Sequence, residues 1–177
     1  SPAWLIEKLE SIGLKSINNV VDAANYVLMN TGHPMHTFDL NKIDGGTINV
    51  RYATKGEEFT TLDSVERKLD DFHLLICDKK KPIALAGIMG GANSDITTLT
   101  TDVLIEGAYF DPTVIRKGAK RLDISTEASR RFERDTDMDG IILAIDELAC
   151  LLHEIAGGDI LEGIIDEYPE RNKKSPI

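Results

Sequence analysis

The chain is short of the residues that staple, stiffen or anchor small proteins. Its 177 residues hold two cysteines, one tryptophan and six prolines, and aromatic side chains make up only 6%. Cys77 and Cys150 stand far apart, in no CxxC or zinc-like spacing, so no disulfide framework or zinc site is expected. Both read as buried thiols of a cytoplasmic protein. No apolar run approaches the roughly 20 residues that span a bilayer, and the N-terminus has no signal-peptide pattern, so no membrane partner is expected. Positive charge is also scarce: 20 Lys and Arg against 30 Asp and Glu leave a net charge of −10. That balance argues against a chain that grips nucleic acid over its whole surface.

What remains is the composition of an ordinary globular protein, 42% hydrophobic and 28% charged, long enough for one domain or two fused lobes. A short helix fits the first ten residues, with Ser1 as cap, Pro2 in the first turn, Leu5, Leu9 and Ile12 on one face and Gly13 as terminator. Residues 19–30 form a second helix, striped by Val20, Val21, Ala24, Val27 and Leu28 and stopped by Gly32. Pro34 prevents its continuation. The period then changes. Ile48, Val50 and Tyr52 alternate as a strand with one buried face, and residues 58–62, 74–77, 83–88 and 103–109 are further strands. Asp111-Pro112 opens another helix, as cap and first residue. A long one follows over 137–156, with Ile141, Ile142, Ile145, Leu148, Ala149 and Leu152 on one face and Gly157-Gly158 as its stop. Helices bracket a block of strands, which makes the class α+β. The polar, proline-bounded tail 169–177 reads as a linker.

One residue breaks the pattern. Glu106 interrupts Val103-Leu104-Ile105-Glu106-Gly107-Ala108, a run that reads as a buried strand, and burying an unpaired carboxylate costs several kcal/mol. Either a nearby Arg or Lys pairs with it, or it lines a pocket that recognises a ligand hydroxyl. Gly90-Gly91 reads as a tight turn needing positive φ, and also as a place where a ligand approaches the backbone. Arg116, Lys117, Lys120, Arg121, Arg130, Arg131 and Arg134 crowd one region, opposed there by Asp123, Glu127 and Glu133. They form either a solvated helix face with local ion pairs or a local phosphate-binding strip. His33 and His36 make an HxxH spacing, but Pro34 denies it a helix and no third ligand is evident, so no metal is expected.

Several blocks, in order, resemble a known family. They are Asn19-Val20-Val21-Asp22-Ala23-Ala24-Asn25-Tyr26-Val27, Gly32-His33-Pro34-Met35-His36-Thr37-Phe38-Asp39, Ala86-Gly87-Ile88-Met89-Gly90-Gly91, Leu104-Ile105-Glu106, and Thr126-Glu127-Ala128-Ser129-Arg130-Arg131-Phe132-Glu133-Arg134. The chain is similar through residues 1–158 to the B3/B4 region of bacterial phenylalanyl-tRNA synthetase β subunits. The resemblance implies a layered α+β domain with a β-sandwich of unusual topology, and a 159–177 segment leading to the next domain of a longer chain. It also implies an editing activity that hydrolyses tyrosine wrongly attached to tRNA(Phe). The same family charges tRNA(Phe) with ATP and magnesium elsewhere in an α2β2 assembly with an α subunit, in the cytoplasm; this domain itself needs no cofactor.

The resemblance further implies site roles. Glu106 accepts the tyrosine hydroxyl, Gly90, Gly91, Ala128 and Asn25 bind the substrate, and His36 and Thr126 act at the reaction end. Arg130, Arg131 and Arg134 contact RNA. Thr126 reads equally as a helix N-cap. A non-catalytic tRNA-binding module and a stand-alone deacylase are the rival readings. Departures from the family pattern fall in turns: Glu127 replaces the usual Asp, Asp135-Thr136-Asp137-Met138 replaces Gly-Val-Asp-Pro, and Leu62-Asp63-Ser64 replaces Leu-Asp-Gly.

Overall fold

The computed structural model describes residues 1–168 and has an α+β fold. The chain runs through α1 (Ala3–Ser11), α2 (Asn19–Thr31), β1 (Met35–Asp39), two 3-10 turns, β2 (Asn49–Tyr52), β3 (Glu58–Thr60), β4 (Glu66–Lys68), β5 (Leu74–Cys77) and β6 (Pro82–Leu85). It continues through β7 (Met89–Gly90), β8 (Val103–Gly107), α3 (Pro112–Leu122), α4 (Glu127–Phe132) and α5 (Ile141–Ala156). The tail expected at 169–177 lies outside the described residues, and residues 159–168 carry no helix or strand.

All strand pairs are antiparallel, in a two-stranded ribbon β1-β8, a four-stranded sheet β2-β5-β6-β7 and a hairpin β3-β4. Two cores result. One lies among the strands, α3 and α4, around Phe38, Leu75, Ile83, Leu85, Ile115 and Phe132. The other joins α2 to α5 through Ala23, Val27, Ala144 and Leu148. The β1-β8 ribbon belongs to both. Phe38 and Leu104 face the first core, while Met35 and Ile105 pack on the second, as alternation along a strand requires.

Local chemistry sets the helix ends. Asn18 caps α2 by accepting from the Val21 N–H, and Gly32 closes it in the left-handed conformation (φ 79°). Asp111 caps α3 by accepting from the N–H groups of Thr113 and Val114. Ser1 does not cap α1: its hydroxyl donates to Asp22, and Pro2 occupies the cap position without a side-chain bond. Asp22 is fully buried, and its carboxylate also accepts from the Ser16 hydroxyl and the Ile17 N–H. A carboxyl group with no cationic partner among the described residues is thereby held by three donors.

Some expectations do not survive. Ile12 is 54% exposed, because α1 stops before reaching it. The last helix begins at Ile141, and its buried stripe is Ala144, Leu148 and Leu151 rather than one including Ile142, because only that face meets α2. Cys77 is buried, but Cys150 is on the outer face of α5 and exposed. Ile48, Val50 and Tyr52 do alternate, yet their shared face is open (42%, 51% and 54% exposed), on the edge strand of the sheet. The positive φ near the glycine pair belongs to Gly87 (65°), not to Gly90 or Gly91, which lie in β7 and in a bridge to Thr61.

The turn after β3 carries strain. Ser64 sits at φ 62°, a region costly for a residue with a β-carbon. Ser64→Gly should stabilise the fold by about 0.5–1 kcal/mol, raising Tm by roughly 1–4 °C. Thermal unfolding showing no gain would mean that Ser64 pays nothing for its φ.

Candidate functional site

A cavity of about 70 Å³ opens where the β1-β8 ribbon crosses the four-stranded sheet and α4. Its walls are mostly apolar, from Met35, Ile76, Ala84, Ile88, Met89, Phe110 and Phe132, with Gly87, Gly90 and Ala128 giving room. Phe110 and Phe132 meet edge to face, 5.0 Å between centroids. Two titratable side chains enter this wall, His36 and Glu106. They are direct partners in the ribbon register, and successive-residue alternation turns both toward the sheet.

Neither of them has an ion-pair partner among the described residues, so no Arg or Lys there neutralises Glu106. Its Oε2 is buried and makes no hydrogen bond. Burial alone lifts the Glu106 carboxyl to a pKa of about 7, and burial holds the His36 imidazole down at about 4. At neutral pH His36 is therefore uncharged and Glu106 divides between its acid and its carboxylate. An orphaned acceptor in an apolar cleft is an unfilled place for a hydrogen-bond donor. The cavity is smaller than the roughly 150 Å³ void that admits benzene. An aromatic ring would fit only if walls gave way, and Met35 and Met89 are the most adaptable among them.

A larger, shallower hollow of about 370 Å³ lies beside Gly91, between Phe59, Lys81 and Asn93. None of its lining side chains carries a buried, unpartnered polar atom, so the smaller cavity is the stronger candidate.

The glycine pair is explained by close approach. A β-carbon at Gly90 would stand 2.7 Å from His36 Cε1 and 2.9 Å from Leu62 Cδ1. One at Gly91 would meet the Ile83 carbonyl oxygen at 2.6 Å and the Phe59 ring at 2.7 Å. Gly90 thus borders the pocket, while Gly91 is pressed against backbone outside it.

Of the expected site residues, the cavity wall brings together His36, Gly90, Glu106 and Ala128. Asn25, on α2, Gly91 and Thr126 do not line it. The Thr126 hydroxyl has two bonds: it accepts from the Ser129 N–H (3.0 Å) in a capping box for α4, and it donates to the Ile88 carbonyl (2.8 Å). It ties the helix bearing Ala128 to a wall residue of the cavity. His33 turns away from His36, its Nε2 only 2.6 Å from where a β-carbon of Gly140 would sit.

The basic cluster is largely committed. Arg131 binds the Glu127 carboxylate and carbonyl and reaches the Met29 sulfur, clamping α4 to α2. Arg130 pairs with Glu127 and Ser125, Arg121 with Asp70, and Arg116 with the Glu133 carbonyl. Lys117 lies 3.9 Å above the Phe72 ring. Lys120 and Arg134 have no side-chain partner among the described residues.

Sequence reasoning missed the aromatic and methionine walls. Phe132 lies within the segment 126–134 and Phe110 three residues beyond β8, but only folding brings them together. It also missed that the ribbon places His36 opposite Glu106.

Comparison with known proteins identifies the family of the chain. The model of the B3/4 domain family matches residues 1–157. The chain is 54% identical over 169 residues to the phenylalanine--tRNA ligase beta subunit of Geobacter metallireducens, covering 96% of this chain and 21% of that protein. The beta subunit of Geobacter sulfurreducens gives the same identity and coverage. That of Moorella thermoacetica is 46% identical over 177 residues, covering 100% of this chain and 22% of the relative. The chain therefore spans about a fifth of the length of these relatives.

The glycine contacts separate two roles. Gly91→Ala should destabilise the fold more than Gly90→Ala, because backbone yields less readily than an imidazole or a leucine tip. Gly90→Ala should keep the fold and narrow the pocket. Denaturant titrations giving the reverse order would refute this assignment.

Proposed function

The chain is a member of the B3/4 domain family, and from that membership we propose that it is the editing module of a phenylalanine--tRNA ligase beta subunit. Its substrate is tRNA(Phe) mischarged with tyrosine. Its reaction is hydrolysis of the aminoacyl ester: water adds to the carbonyl carbon, the bond to the ribose oxygen breaks, and tyrosine leaves with a free RNA hydroxyl. Charging with ATP and magnesium takes place elsewhere in the whole cytoplasmic enzyme, an α2β2 assembly with an α subunit.

One observation carries the reading: a buried carboxylate oxygen of Glu106, without a partner, in an otherwise apolar cavity. Tyrosine differs from phenylalanine by one hydroxyl, which a synthetic pocket rejects poorly by size. A pocket that demands the hydroxyl inverts the problem. Phenylalanine leaves Glu106 orphaned, whereas tyrosine donates to it, and sites of this kind discriminate by up to roughly 10⁴–10⁵. Gly90 and Ala128 make room for the amino acid, with Asn25 and Gly91 supporting the substrate from beyond the wall.

The cavity wall contains no serine, threonine, cysteine or lysine, which favours direct attack by water over a covalent intermediate. His36, uncharged at neutral pH, orients that water or a ribose hydroxyl and is too weakly basic to abstract its proton outright. Thr126 acts at the reaction end through the Ile88 carbonyl that its hydroxyl holds. Arg130, Arg131 and Arg134 face the RNA, with Arg134 the most available.

Linkage sets the pH dependence. The folded-state pKa of Glu106 lies above the ordinary glutamate value of 4.5. The folded protein therefore favours the protonated form, and stability falls as pH rises from about 4.5 through 7. Above 7 the carboxylate is charged and orphaned, and a hydroxyl donor relieves it. Below 7, phenylalanine forfeits only a neutral hydrogen bond, worth about 0.5–1.5 kcal/mol against about 1.5–3 for a charged one. The preference for Tyr-tRNA(Phe) over Phe-tRNA(Phe), as a ratio of kcat/KM, should thus rise roughly tenfold from pH 6 to 8.5. His36, titrating near 4, does not contribute in that window. Glu106→Gln should lower the preference and make it independent of pH. A wild-type ratio that stays flat across this range, or a preference that survives in Glu106→Gln, removes Glu106 as the reader of the hydroxyl.

A further inference from the structure

The floor of the cavity does not stop at its wall. Cross-strand register aligns Gly90 with Ala84, Ala84 with Ile76, and Ile76 with Val50. Gly90, Ala84 and Ile76 line the cavity. Residues paired across a sheet share a face, so Val50 continues the same row to the sheet edge. Ile48 and Tyr52, two residues to either side on β2, share that face. All three are exposed. By register the strip joins the pocket wall through Ile76 and Ala84, each only 3% exposed; it is apolar and ends in an aromatic ring.

Edge strands usually carry charge or proline that discourages association. Here the open face of β2 carries neither. Arg51, the one charged residue of the strand, falls on the opposite face and is held in a two-bond fork by Glu57, at 2.9 and 2.7 Å. A flat, uncharged surface with an exposed aromatic ring suits another flat ring. It also presents no carboxylate to repel a nearby phosphate.

We propose that the Ile48–Val50–Tyr52 face is the seat of the unpaired terminal base of the RNA, stacked on Tyr52 while its aminoacyl ester reaches along the Val50–Ile76–Ala84 row into the cavity. The proposal rests on the editing reading. Two strand spacings, roughly 10 Å, separate β2 from β6; this is the span that the ester and ribose bridge. Base stacking on an aromatic side chain is tolerant of sequence and needs no hydrogen-bonded code. It adds an anchor that an otherwise acidic protein lacks.

The test compares two non-hydrolysable probes by calorimetry: L-tyrosinamide, and 3′-(L-tyrosylamino)-3′-deoxyadenosine, which adds the nucleoside. The nucleoside probe should bind the chain roughly 5- to 150-fold more tightly. Tyr52→Ser should erase most of that increment and leave tyrosinamide binding unchanged, while Tyr52→Phe retains it. Because Tyr52 is exposed on an edge strand, these variants remain folded, which circular dichroism checks. Equal affinity for the two probes, or an increment that survives Tyr52→Ser, overturns the proposal and assigns the strip to a protein contact instead. Tyrosinamide binding that is absent, or indifferent to Glu106→Gln, overturns the pocket reading and this one with it. That failure is distinguishable because it appears with the probe that has no nucleoside.

Discussion

The pairing of β1 with β8 is the constraint on which the rest depends. It joins a segment just after α2 to one nearly seventy residues later, and its five register pairs run from Met35↔Gly107 to Asp39↔Val103. Because side chains alternate, the ribbon presents Phe38 and Leu104 to one core and Met35 and Ile105 to the other. It is the shared wall of two layers. The same alternation leaves His36 and Glu106 opposite each other, turned toward the sheet. A slip of one residue would send Glu106 against α5, where Gly107 already lies so close to Ile141 and Ile145 that a β-carbon would meet them at 2.9 Å. The apolar packing of both cores thus pins a polar pair that neither core would choose.

That pair is held in an unfavourable state, and the surrounding structure bears the cost. Asp22 is fully buried and Glu106 half-buried with its Oε2 enclosed; neither has a cationic partner among the described residues, but they differ in one respect. Asp22 has three donors from Ser1, Ser16 and Ile17, so its environment is closed. Glu106 keeps one oxygen without any, so its environment is incomplete. A structural acid looks like the first; an acid reserved for something outside the protein looks like the second. The contrast within one chain is the strongest reason to read the cavity as a binding site.

How legible this was depended on the range of the interaction. Helix ends were readable because their causes are local: Gly32 in its left-handed cap, Asp111 before Pro112, and the Leu74–Cys77 strand between its turns. Glu106 was readable because an acid in an apolar run is an anomaly wherever the strand goes. Its partner strand was not, since nothing near β8 names β1. Alternation in Ile48, Val50 and Tyr52 identified a strand, but periodicity alone says nothing about whether the apolar face is covered. The glycines misled for a related reason. Gly90 and Gly91 looked like a turn, whereas their lack of a β-carbon serves close approach by His36 and Ile83, and the left-handed turn falls to Gly87. Thr126 could be read two ways from sequence, and its cap is now explicit, with a second bond to Ile88 that no local pattern foretells.

The electrostatics divide recognition from attachment. Most of the basic side chains that looked available for phosphate are engaged by the protein itself; Glu127 alone takes both Arg130 and Arg131, and its carboxyl is drawn below the usual range chiefly by Arg131. Exposed pairs of this kind are worth little individually, but freeing an arginine from one still subtracts from any gain on phosphate. A net charge of −10 disfavours general binding of RNA, and the chain spans about a fifth of its relatives. On the editing reading proposed above, an acidic module that discriminates by one carboxylate oxygen needs no strong hold. On that reading, weak attachment would let a correctly charged end leave before water acts on it, so that selectivity would rest on the occupant of the cavity rather than on the RNA common to both substrates.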